Sequence, residues 1–252
     1  MSHPQLIACL VAGILALAPA CADGGERIDS ESLAVRDRLI AAYREERGAP
    51  EAIRHLEEAV QLLPEDPLVQ SLYGQALAEE GDLQQAIFHL RESVRFAPDV
   101  ANTHYQLGHA VARSRRMGEF AALHFERCIE LDPSIAEAYV NLGTIRLKNE
   151  EFDEAIQLFH QAIAMRPNLV PAHYNLSLAL FRTERLEEAI PPCQAALTLD
   201  PKLYQAYDHL GSIYTKQGRH LEAVAMYQKA VDLAPDYNPA LLNLSRAKRR
   251  LQ

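Results

Sequence analysis

The 252 residues are 48% apolar and 23% charged, which supplies one large core or a string of small ones and excludes a disordered chain. With 34 acidic against 25 basic residues the net charge is -9. That sign opposes sequence-independent attraction to phosphate backbones and anionic bilayers, so nucleic acid is not an expected partner.

The first predicted element is a leader over 1–22. Leu6 to Ala18 is a continuous apolar run, shorter than the roughly 20 residues a bilayer-spanning helix needs, so it reads as a signal peptide. Two processing routes stand side by side. Ala20-Cys21-Ala22 fits cleavage before Asp23, while Ala18-Pro19-Ala20-Cys21 resembles the lipobox of bacterial lipoproteins and makes Cys21 the lipidation site. The expectation is an exported protein, periplasmic or anchored through Cys21, with a polar linker over 23–32 and no other membrane attachment.

From there the chain repeats with a step of 34 residues. Unit 33–66 carries Leu39, Ala52, Ala59 and Pro64; unit 67–100 carries Gly74, Ala86 and Pro98. Unit 101–135 holds one extra residue, expected in the turn at Arg115-Arg116-Met117-Gly118. In unit 136–169, Tyr139-Val140-Asn141-Leu142-Gly143 precedes Ala155, Ala162 and Pro167. His173-Tyr174-Asn175-Leu176-Ser177 with Ala189, Ala196 and Pro201 marks unit 170–203, where Pro191-Pro192 predict a kink or a late helix start. Tyr207-Asp208-His209-Leu210-Gly211 with Ala223, Ala230 and Pro235 marks unit 204–237. Residues 238–252 form a half unit, a terminal helix whose Leu241 and Leu244 are expected to cap the end.

Positions four, seven, eight and eleven of each unit share one helical arc, the packing face. The small residue at position eight admits a second helix closely, the terminal proline stops that helix, and the acid or amide beside a proline, as in Asp66-Pro67 and Asn238-Pro239, can cap the next.

This succession of large residue, Leu, Gly, Tyr, Ala, Phe, Ala and Pro resembles the tetratricopeptide repeat family over six units. The resemblance implies an all-α fold, a right-handed superhelical solenoid of helix-turn-helix hairpins with a C-terminal capping helix. It also implies a scaffold or adaptor holding a protein or peptide partner in its concave groove. The alternative is an assembly subunit of an envelope enzyme or secretion complex that uses its convex face.

No nucleophile elbow, H-E-x-x-H, phosphate loop or zinc-spaced cysteine pair occurs, so neither catalysis nor a cofactor is expected. Cys128 and Cys193 read as small buried apolar side chains. His55, His89 and His124 recur on successive second helices, but rungs about 10 Å apart are too far for one metal ion. His104 and His173 are expected as packed rings.

The face opposite the packing arc carries two ladders. Position six reads Gln106, Asn141, Asn175, His209 and Asn243. Position thirteen reads Arg113, Lys148, Arg182, Lys216 and Arg250. Side-chain amides donate and accept as a peptide unit does, so the first ladder suits the main chain of an extended ligand; the same amides also fit a packing role. The basic ladder suits an acidic segment, and equally suits the C-terminal end of each helix macrodipole. The Lys and Asn with which some family members clamp a terminal carboxylate are absent from positions five and nine.

Overall fold

Proline decides where each second helix stops. The second helices end at Leu62, Phe96, Leu131, Met165, Leu199 and Leu233, each two residues before a proline (Pro64, Pro98, Pro133, Pro167, Pro201 and Pro235). The computed structural model describes residues 29–46, 52–114 and 118–251. The leader and Cys21 lie outside them, as do the inserted-turn residues 115–117. Thirteen helices occur among the described residues: α1 Ser30–Glu45, α2 Ala52–Leu62, α3 Pro67–Glu80, α4 Leu83–Phe96, α5 Ala101–Arg113, α6 Gly118–Leu131, α7 Ala136–Lys148, α8 Phe152–Met165, α9 Val170–Arg182, α10 Leu186–Leu199, α11 Tyr204–Lys216, α12 His220–Leu233 and α13 Asn238–Arg249. No strand occurs among them.

Consecutive helices pack as hairpins, α1 with α2 through α11 with α12. Close approach is set at position eight. A Cβ added at Gly108 would lie 2.9 Å from Phe125, at Gly143 2.8 Å from Phe159, and at Gly211 2.7 Å from Tyr227. Where this position is Ser177, the facing residue shrinks to Cys193, and both are fully buried. Volume moves across the contact and the hairpin keeps its packing. Burial pushes the Cys193 thiol up to about 12 and the Cys128 thiol up to about 11.

Position four closes the boundary between units. Gln70 Nε2 donates to the Pro64 carbonyl at 2.5 Å, His104 Nε2 to the Pro98 carbonyl at 2.9 Å, and His173 Nε2 to the Pro167 carbonyl at 2.8 Å. Each bond satisfies the carbonyl of the proline itself, which lies two residues past the end of the helix and outside its hydrogen-bond ladder.

Two local expectations are corrected. Asp66 does cap α3, accepting from the backbone N–H of Leu68 and Val69. Asn238, however, is the first residue of α13, and the cap position belongs to Tyr237, which makes no side-chain cap bond and packs edge-on against Tyr204 at 4.9 Å. The prolines do not delay α10 either, since it starts at Leu186 and encloses both. Glu187 and Glu188, whose carbonyls the prolines deprive of a donor, are exposed, so water can serve them.

The core is a line of clusters. One joins Ile40, Leu56, Val69 and Ala76 at the N-terminal end; another runs from Leu90 to Ala247. First helices of successive hairpins also touch each other (α3–α5, α7–α9, α9–α11 and α11–α13), and among the described residues no pair of second helices does so to a comparable extent. The first helices therefore lie on the inner side of the curve. In α13, Ala240, Leu244 and Ala247 are buried against the preceding hairpin, while Leu241 is 39% exposed, so Leu244 covers the end and Leu241 does not.

Candidate protein-binding groove

The inner face of the first helices brings the position-six ladder into one row, and most of it is already engaged. Asn141 hydrogen-bonds Tyr105. Asn175 Nδ2 donates to Thr144 Oγ1 at 3.0 Å, and Asn243 Nδ2 to Asp208 Oδ1 at 2.9 Å. Each bond reaches back to the first helix of the preceding hairpin. The ladder ties neighbouring units together, and each asparagine still has polar capacity left toward the groove. Gln106 is half-buried in the same row.

His209 does not serve as a rung of a peptide-contacting row. It is 6% exposed, shares a 3.0 Å hydrogen bond with Ser177 Oγ, and packs edge-on against Phe181 and Tyr174. An imidazole is larger and less polar than the amide it replaces, so it sinks between the helices. Burial pulls its pKa down to about 4.

The basic ladder splits. Arg113 donates to the Ala78 carbonyl at 2.7 Å. Arg182 pairs with Glu150 at 2.8 Å and lies 5.1 Å from the Phe152 ring. Lys216 pairs with Glu184 and sits 4.6 Å from the Phe181 ring. Lys148 and Arg250 are exposed and carry no ion pair among the described residues. Two of the five cations are thus neutralised by the preceding hairpin, which weakens the ladder as a rail for acid. Between the rows, burial raises the Asp208 carboxyl above its ordinary value and moves the Tyr174 phenol up to about 12.

The second-helix histidines each have a partner of their own: His55 with Glu46 at 3.0 Å, His89 with Gln70 at 2.7 Å, and His124 with His104 at 3.2 Å. Among the described residues no group of three or more His, Cys, Asp or Glu is placed to hold a metal ion.

Helical hairpins in line, small residues at their contacts and a polar inner face define a helical-repeat solenoid. Tetratricopeptide-repeat profiles match residues 43–111, 105–170, 140–204 and 204–237, and the chain belongs to that family. No curated protein sequence matches it. Among solved structures it is similar to YrrB, described as a TPR protein with an unusual peptide-binding site (22% identity, TM-score 0.63, covering 74% of this chain and 95% of that one). It is also similar to MamA from Desulfovibrio magneticus RS-1 (25%, 0.62, 68% and 96%). The Cut9–Hcn1 structure of the APC/C aligns at 16% identity and TM-score 0.70, over 86% of this chain and 46% of that one.

Proposed function

We propose that the protein is a scaffold that holds an extended segment of a partner protein along the inner face of its first helices. The observation carrying this reading is the row of half-buried Asn141, Asn175 and Asn243, each with polar atoms left over after its bond to the preceding helix. Rungs about 10 Å apart meet roughly every third residue of a strand rising about 3.3 Å per residue. Membership of a repeat family and likeness to a structure with a peptide-binding site support the same reading. Export, with Cys21 lipidated or the leader cleaved before Asp23, would place the scaffold in the cell envelope.

Peptides selected from a random display library against the folded chain test the groove. Affinity should fall about tenfold or more when Asn141, Asn175 and Asn243 are replaced together by Ala, since each net hydrogen bond contributes about 0.5 to 1.5 kcal/mol. Equal affinity with the helical spectrum retained moves the binding surface elsewhere. A second reading, assembly through the convex side, is favoured by Phe88 on α4 and Phe120 and Leu123 on α6, which are 54% to 60% exposed.

A further inference from the structure

His209 leaves a gap in the amide row. With that ring buried against Phe181 and Tyr174, no position-six amide faces the groove between Asn175 on α9 and Asn243 on α13, two rungs apart. Beside the gap, one position earlier on α11, stands Asp208. Its side chain is half-buried and Oδ1 accepts from Asn243 Nδ2 at 2.9 Å; among the described residues Oδ2 has no hydrogen bond and the carboxylate has no ion pair.

The groups around Asp208 are phenols. Tyr174 holds the same position on α9, one repeat earlier, and Tyr237 meets Tyr204, the first residue of α11, edge-on at 4.9 Å. Burial first, and then the Asp208 charge among others, holds the Tyr174 and Tyr237 phenols above their ordinary value, so both rings share the carboxylate's surroundings. All three rings are half-buried, and among the described residues none of their hydroxyls makes a hydrogen bond. The charge here is also unbalanced. Glu150 answers Arg182, Glu184 answers Lys216, and His209 is neutral at physiological pH. Asp208 is left over, in a chain whose net charge is -9. A half-buried carboxylate with a single amide bond has lost much of its hydration without a full replacement, and a cation brought to it restores what is missing.

We propose that the gap at His209 receives an arginine side chain of the partner segment, its guanidinium on the unbonded Asp208 oxygen and flanked by the Tyr174 and Tyr237 rings. The assignment rests on the groove being the binding surface, as proposed above, and names the residue type that the groove selects. A guanidinium suits the site better than an ammonium. It is planar and weakly hydrated, it stacks on aromatic faces, and its several N–H donors can serve the carboxylate and the phenol oxygens together. The chain uses the same combination itself: Arg182 pairs with Glu150 while lying 5.1 Å from the Phe152 ring, and Arg219 pairs with Glu222 while lying 4.1 Å from the Tyr214 ring. An acidic side chain at this place is repelled by Asp208. Two rungs at about 10 Å each span roughly six residues of extended chain, so the arginine falls about three residues from the one that Asn175 holds.

The probe is a synthetic dodecapeptide chosen from a random display library selected on the folded full chain, with binding read by fluorescence anisotropy. Selected sequences should share an arginine at one aligned position. Citrulline there keeps the shape and removes the charge; it should weaken binding to the parent about tenfold and binding to Asp208→Asn less than about twofold. Lysine there should weaken binding to the parent severalfold. Glu187→Gln removes an exposed charge on α10 and should leave affinity within about twofold. An equal loss with Glu187→Gln makes the preference one of net charge and overturns the site. So do selected peptides without an aligned arginine, or a citrulline loss as large on Asp208→Asn as on the parent. The citrulline and lysine peptides act on the parent chain, so a poorly folded variant does not shield the proposal: unchanged affinity there overturns it. Replacing Asn141 and Asn175 together by Ala leaves the Asn243 bond to Asp208 intact and tests the groove separately. Peptides that bind that variant as well as the parent overturn the groove reading, whereas peptides that lose affinity for it without coupling to Asp208 overturn the arginine site alone. A library that yields no binder overturns both.

Discussion

Arg182 forms its 2.8 Å ion pair with Glu150, a residue held at φ 67 in the turn of the preceding hairpin. Lys216 repeats the arrangement with Glu184 at φ 60, while the equivalent turn positions Gly81 and Gly218 carry glycine. A left-handed backbone costs a non-glycine residue about 1 kcal/mol or more, and an exposed ion pair returns about 0.2 to 1 kcal/mol, so the strain outweighs the pair. Glu150→Ala, which keeps the strain and loses the pair, should lower unfolding free energy in urea. Glu150→Gly should exceed the alanine variant by about 1 kcal/mol. Equal stabilities would mean that the turn is not strained.

The exchange of volume between Gly143–Phe159 and Ser177–Cys193 predicts a coupled pair. Gly143→Ser should cost about 1 to 3 kcal/mol by overpacking against the Phe159 ring, and Phe159→Cys about 3 kcal/mol by opening a cavity. Together they should cost clearly less than the sum. Additive losses in a double-mutant cycle would contradict the complementarity.

Stability should decline as the solution is acidified below the ordinary histidine range. Burial holds His124 and His209 down to about 4, with His104 and Arg91 adding to the effect at His124. An unfolded histidine titrates near about 6.5. Between that value and about 4 the unfolded chain takes up protons that the folded chain refuses, so stability is complete above the window and is lost on descending through it. His209→Asn, which restores the amide of the neighbouring rungs, should flatten the dependence between about pH 7 and about pH 5 in urea titrations. An unchanged slope would place His209 in water.

Cys128 and Cys193, both buried with raised thiol pKa, should resist iodoacetamide at neutral pH until the chain unfolds. Cys21 is the proposed lipid site, and fatty-acid label that persists in Cys21→Ala would remove that assignment.

At the C-terminal end Leu244→Ala should cost about 2 to 4 kcal/mol and Leu241→Ala under about 1 kcal/mol, because only Leu244 is buried. Similar losses in thermal melts would mean that both leucines cap.

The architecture was legible because each structural rule has its own residue in the chain. Pro167 stops α8, Gly143 admits Phe159, and Tyr139 and Leu142 mark a packing arc; each acts locally, at a spacing a helix fixes. What the sequence hid lies across units. Nothing local to Asn175 announces Thr144, 31 residues earlier, as its partner, and nothing in His209 reveals that a larger ring in an amide's place will bury itself against Phe181. The position-four bonds to proline carbonyls were equally silent, although Gln70, His104 and His173 share one feature visible in sequence, a side-chain N–H six residues after a proline. The Asn238-Pro239 pair has the residues of a cap, yet Asn238 is already the first residue of α13 and the cap position falls to Tyr237, whose ring packs on Tyr204.

The separation of the Ile40–Ala76 cluster from the one beginning at Leu90 has a consequence for how the molecule opens. With contacts confined to neighbours, each stretch of the solenoid keeps its own opening equilibrium. Backbone amides of α1 and α2 should exchange with deuterium through a partial opening that leaves α6 to α12 protected. A partner seated on the groove of the later helices would slow exchange there and leave the first hairpin's rate unchanged, so mass spectra of exchanged peptides would show where along the rod an occupant sits.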